Sequence, residues 1–183
     1  MKHKKRMGDF DERLSPDAEC LDKYLSRYKD SIRVKNLLER RRDNIREEFS
    51  PLKSPKLDGL PRGGSVSETP VTSVLVRIEE IENRIRAQIM TASKIFTETM
   101  DIIDLLPEGN YESALMKVVI ENKYIDHMDM DRIARENNFS RSTVKRYWKK
   151  GLYVLLDCKK VKKILEDYRD EQDGEFFVQN KAE

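Results

Sequence analysis

Histidine and cysteine are nearly absent from these 183 residues, two of each. Cys20 and Cys158 lie far apart in the chain with no CxxC spacing, and His3 and His127 each stand alone. A zinc site needs several such ligands at short spacing, and a disulfide framework needs more pairs. The thiols therefore read as buried or idle groups in a reducing cytoplasm. Glycine and proline are sparse as well, seven and six, and four of the prolines and three of the glycines fall between Ser50 and Pro70. No Gly-rich phosphate cradle, no GxSxG and no His–carboxylate pair is present. Asp126, Asp129 and Asp131 alternate, but the glycine and terminal glutamate of a calcium loop are missing. The expectation is a protein that is not an enzyme and needs no cofactor and no metal. No apolar run reaches membrane-spanning length and no hydrophobic signal core opens the chain, which predicts a soluble, cytoplasmic protein with no membrane partner.

What the chain has in quantity is charge. Charged residues make up 38%, equal to the apolar share. That balance suits amphipathic helices with wide solvated faces better than one thick core. The net charge of +2 conceals a gradient: +3 over residues 1–50, −2 over 51–110, +5 over 111–169 and −4 over 170–183. The basic excess of the third stretch predicts a polyanionic partner. It is modest for one copy, so a homodimer on paired half-sites fits better.

Along the chain, residues 1–15 form a flexible basic arm (Lys2, Lys4, Lys5, Arg6), with contact to the DNA minor groove or backbone as its functional alternative. A helical pattern follows to Phe49, with Leu21, Leu25, Tyr28, Ile32, Leu38 and Ile45 on one stripe and Ser15-Pro16 at its start. The Arg40–Arg42 run reads as a solvated face. Residues 50–70 form a Pro/Gly-rich linker. Val74, Ile78, Ile81, Ile85, Gln88, Ala92, Ile95, Thr99, Ile102 and Leu106 then hold a strict a/d heptad, the mark of a coiled-coil seam. Ile89, Phe96 and Ile103 widen it. The fold class expected is all-α: residues 16–106 as a long antiparallel helical hairpin serving oligomerisation, residues 107–170 as a helix-turn-helix domain, and 171–183 as a loose acidic tail. Asn110 caps a helix that turns Leu115, Val118 and Val119 inward. A last amphipathic helix carries Val161, Ile164, Leu165 and Tyr168, with Lys159, Lys160, Lys162 and Lys163 at its start.

The run from Met130 to Lys150 carries the functional signal. Ala134 supplies the small residue that a close helix crossing needs. Asn138 tolerates the left-handed backbone of the turn. Phe139 is the apolar plug, and Ser140 is an N-cap. The helix from Arg141 turns Val144 and Tyr147 or Trp148 inward. Ser140, Arg141, Ser142, Thr143, Lys145, Arg146, Lys149 and Lys150 are then the candidate DNA-binding residues. Arg and Lys suit guanine edges and phosphates, and small hydroxyls suit close backbone approach.

Residues Tyr111 to Leu156 resemble region 4 of sigma-70-type factors in Ile133-Ala134, Asn138-Phe139-Ser140-Arg141 and Val144, with Asn138 in place of the usual turn glycine. The wider layout is similar to a family of phage-encoded transcriptional regulators of Gram-positive hosts, the ArpU and RinA type. The likeness rests on Tyr24-Leu25-Ser26-Arg27-Tyr28, on the linker Ser54-Pro55-Lys56-Leu57-Asp58-Gly59-Leu60-Pro61-Arg62-Gly63-Gly64, on the long helix and on the closing sigma-like module. It covers residues from about 20 to 158; the helix after Cys158 and the acidic tail fall outside it. The resemblance implies an activator of phage late genes that acts at a promoter on double-stranded DNA, with host RNA polymerase as a further partner in a bacterial cell. Two other readings use the same elements: a DNA-packaging protein of small-terminase type, and a coiled-coil adaptor that does not bind DNA.

Overall fold

The computed structural model describes residues 13–48 and 71–179. Among them the fold is all-α, with six helices and no strand: α1 (Pro16–Glu48), α2 (Val71–Ile103), α3 (Tyr111–Tyr124), α4 (Met130–Glu136), α5 (Arg141–Leu156) and α6 (Lys159–Gln179). The basic cluster at residues 2–6, the linker at 50–70 and the side chains of Phe176, Phe177 and Val178 lie outside the described residues.

The chain divides into two compact units. One is Asp30–Lys94, the later part of α1 and the earlier part of α2. Gln88 Nε2 donates to the Ser31 carbonyl at 3.1 Å and to its hydroxyl at 2.8 Å, while Arg46 meets Glu82 at 2.6 Å. Ser31 precedes Arg46 but Gln88 follows Glu82, so the two segments run antiparallel. Val74, Ile81, Ile85 and Ala92 are buried at heptad positions. Val34, Leu37, Leu75, Val76, Ile89 and Met90 remain exposed.

The other unit joins the start of α1 (to Lys29) and the end of α2 (from Ile95) to everything after them. Its core draws Leu21, Tyr24 and Leu25 from α1, Ile102 and Ile103 from α2, Leu106, Ile120 and Tyr124 near α3, Leu152 and Leu155 from α5, and Val161 and Leu165 from α6. Each such side chain contributes about 1.5–3 kcal/mol on burial. This shared core is why the division falls inside α1 and α2 rather than after Leu106, where the sequence placed it. The Tyr24–Tyr28 element works within the same unit. Tyr24 meets Tyr168 of α6 edge-on at 5.2 Å, and Arg27 sits 3.6 Å over the Tyr24 ring while pairing with Glu98. Tyr28 packs on Phe96 and His127.

Two local expectations shift. The inner face of α3 is Ser113, Met116, Val119, Ile120 and Tyr124, with Leu115 and Val118 only half-buried. Residues 114–120 are apolar nearly all round, and periodicity cannot choose a face in such a run. Helix α6 continues to Gln179, through most of the segment expected to be a loose tail.

Candidate nucleic-acid interface

Helix α4 is seven residues long and starts on Asp129, whose carboxylate accepts from the Arg132 N–H at 2.7 Å. It ends at Asn137, where the Asn137 amide donates to the Ile133 carbonyl. Asn138 then takes φ 56°, a left-handed backbone that costs most residues about 1–2 kcal/mol and that asparagine tolerates. The reversal lets the Phe139 N–H reach the Ala134 carbonyl at 2.8 Å. Ser140 caps α5 by accepting from the Thr143 N–H at 3.1 Å. Val119, Ile133, Ala134 and Val144 form a small core beneath this turn, with Phe139 and Tyr147 packed against it.

Helix α5 is seated from below at two points. At Gly151 it approaches α3 so closely that a Cβ would lie 3.0 Å from Ile120 Cγ1. At Trp148 a polar chain crosses three helices. The Trp148 indole N–H donates to the Tyr124 hydroxyl at 2.9 Å, and that hydroxyl donates to the Asp22 carboxylate at 2.5 Å. Lys123 donates to the same carboxylate oxygen at 2.8 Å and lies 3.7 Å over the Trp148 ring. Burial first, and then the neighbouring Asp22 charge, hold the Tyr124 phenol neutral well above its ordinary range. Burial lowers the Lys123 pKa against the opposing pull of Asp22. Sequence reasoning left the inward residue open between Tyr147 and Trp148 and did not find Asp22, Lys123 or Tyr124. The usable signal was the indole itself, whose N–H requires an acceptor once buried.

Helix α5 bears five basic side chains and no acidic one. Lys145 and Arg146 are exposed, and the Arg146 guanidinium rests 5.1 Å over the Tyr147 ring. Ser142 is exposed and Lys149 half-buried. Ser142, Arg146, Lys149 and Tyr153 follow one another at spacings of four, three and four, which puts them on one stripe. The two ends of the basic set turn toward acidic neighbours: Arg141 to Asp131 at 3.3 Å, and Lys150 to Glu112 at 2.7 Å. All four of those partners are about half exposed or more, so the pairs are worth little and yield readily to another anion. The hydroxyls of Ser142 and Thr143 both lie 2.8 Å from the Ser140 hydroxyl, so Thr143 belongs as much to the cap as to the outer face. Beside Arg141 a cavity of about 360 Å³ is lined by Ser26, Lys29, Lys123, Met128 and Asp131 among others. Lys29 and Lys123 arrive there from α1 and α3, a juxtaposition that no local pattern carries.

Comparison of the chain with protein-family models, with curated proteins and with solved structures gives no match. Among the described residues, no group of His, Cys, Asp and Glu is arranged to hold a metal ion, and no helix is long and apolar enough to cross a membrane.

Proposed function

We propose that this protein is a sequence-specific, DNA-binding regulator of transcription that lays α5 in the major groove. One observation carries the reading: an acid-free helix, seated on a left-handed turn and an N-cap, turns Ser142, Lys145 and Arg146 to solvent. A major groove about 12 Å wide admits such a helix, and Arg or Lys reads guanine there through O6 and N7. Arg141 and Lys150, at the two ends, would exchange their carboxylate partners for phosphates. The likeness to sigma region 4 and to phage-encoded regulators of the ArpU and RinA type supports a promoter as the target. It also supports late-gene activation in a bacterial cytoplasm, with host RNA polymerase as a contact. The apolar side chains left exposed on the Asp30–Lys94 unit support a homodimer. No step in this role requires catalysis or a cofactor.

The decisive experiment is selection of bound duplexes from a random pool by the full chain. A single recovered motif, palindromic for a dimer, is the expected product. Arg146→Ala should then weaken the selected site by about 1–3 kcal/mol and relax preference at one base position. An equal loss on selected and random duplex would assign Arg146 to the backbone. Failure of the wild-type chain to hold any duplex at low salt would end the DNA reading in favour of an adaptor. A particle mass of many copies in a closed ring would favour packaging.

A further inference from the structure

Three cations from three helices line the cavity beside the start of α5: Lys29 of α1, Lys123 of α3 and Arg141 of α5 itself. Two of them have carboxylate partners. Lys123 meets Asp22 at 2.8 Å, its side chain only 21% exposed. Arg141 meets Asp131 at 3.3 Å, where both side chains are more than half exposed. Lys29 is half-buried and makes no ion pair among the described residues. Its charge acts on Lys123: burial does most to lower the Lys123 pKa, Asp22 opposes, and Lys29 adds to the lowering. Two ammonium groups therefore repel each other in a partly desolvated cavity, with the Asp22 carboxylate to offset only one of them. An anion there removes that cost.

We propose that this cavity binds a small phosphate monoester whose organic part carries hydroxyl or amino groups. Lys29, Lys123 and Arg141 hold the phosphate. Its double charge answers the unbalanced ammonium groups, and the planar guanidinium can take two of its oxygens. The Ser26 hydroxyl is a further donor on the α1 side. The cavity, about 360 Å³, falls within the roughly 300–1,000 Å³ of small-molecule sites and exceeds what a bare phosphate fills. Asp129 and Asp131 line the same cavity and define the rest of the ligand. They repel a second anionic group and accept from hydroxyl or amino donors, which favours an alcohol or sugar phosphate over a polyphosphate. Occupancy draws Arg141 from Asp131 into the cavity, and so away from duplex phosphates. That effect rests on the DNA reading above; the site itself does not.

The test uses the full chain without DNA and glycerol phosphate as the probe, by isothermal titration calorimetry at constant ionic strength. Saturable binding is expected, with none for glycerol. Trp148 emission should shift with the same midpoint, because Lys123 lies 3.7 Å over that ring. Lys29→Gln should weaken binding at least about tenfold through one lost charge-assisted bond, and Lys29→Arg should restore most of it. Arg141→Gln should weaken it similarly. Lys160→Gln, which removes the same charge from the exposed start of α6, should leave it unchanged, and unchanged melting curves verify the folds. No saturable binding at millimolar glycerol phosphate, or equal binding by the wild type, Lys29→Gln and Arg141→Gln, overturns the site. Saturable heat with unmoved Trp148 emission, or a loss in Lys160→Gln as large as in Lys29→Gln, overturns it too. In a second arm, glycerol phosphate should weaken duplex binding a few-fold in the wild type and not in Lys29→Gln. Duplex affinity unmoved by bound glycerol phosphate overturns the link to α5 and leaves the site standing. Absence of duplex binding by the wild-type chain removes that link together with the DNA reading, while the site stands or falls on the calorimetry alone.

Discussion

Tyr124→Phe removes one oxygen from the point where α1, α3 and α5 are joined. The ring is 2% exposed, so the phenylalanine keeps its packing and the effect isolates the hydroxyl. Two bonds are lost. Trp148 loses the acceptor for its indole N–H, and an unsatisfied interior donor costs about 1–3 kcal/mol. Asp22 loses one donor but keeps Lys123, and its side chain is 31% exposed, so water replaces part of that loss. The expected destabilisation is about 2–3 kcal/mol by urea unfolding followed by circular dichroism, equivalent to a fall in Tm of about 5–10 °C. A second signature appears in alkali. The raised phenol pKa means that the folded chain holds a proton which the unfolded chain releases above about pH 10. The stability that Tyr124 contributes is therefore complete below pH 10 and is lost as pH climbs beyond it, in the wild type but not in the variant. Lys123 acts with the opposite sign in the same range, since its lowered pKa favours folding as pH rises toward 10. That contribution is common to both proteins and cancels in the difference. A loss below about 0.5 kcal/mol, with parallel alkaline profiles, would refute the claim that this network seats α5.

Other perturbations address the turn and the helix above it. Asn138→Gly should change stability by less than about 0.5 kcal/mol, whereas Asn138→Ala should cost about 1 kcal/mol, because only the latter is strained at φ 56°. Equal stability of the two would contradict a left-handed residue there. Ser140→Ala should cost about 1 kcal/mol in thermal unfolding through the lost cap. Ser140→Asp keeps the cap and brings a negative charge to the start of α5; native stability with much weaker duplex binding is expected, and unimpaired binding would place DNA elsewhere. Gly151→Val drives its side chain into Ile120 and should lower stability by about 1–3 kcal/mol in guanidinium, in spite of its better helix propensity.

The parts of the fold that local chemistry dictates were legible in the sequence. The left-handed Asn138, the caps at Asn110 and Ser140, and the buried heptad residues from Val74 to Leu106 each follow from a short pattern. What local patterns could not supply was anything joining distant segments. Asp22 and Tyr124 are 102 residues apart, and neither sits in a motif. Lys29 near Arg141 and Ser15 against Tyr153 are likewise products of packing alone. The division into compact units, inside α1 and α2, was not readable for a similar reason. Pro107 ends a helix chemically, but Ile102, Ile103 and Leu106 already belong to the core beyond it. On α5 the outward set was readable from helical spacing, while the diversion of Arg141, Lys150 and Thr143 toward Asp131, Glu112 and the cap depended on neighbours.

The chain contains a single indole, carried on the inner side of the helix proposed to meet DNA, with an ammonium group against its face. Its emission therefore responds to any shift of α5 relative to Asp22, Lys123 and Tyr124, because a charge so near the ring moves the excited-state energy. Loss of the inner seat, or a ligand on the outer side that displaces α5, should therefore change native fluorescence, from one chromophore and without a dye.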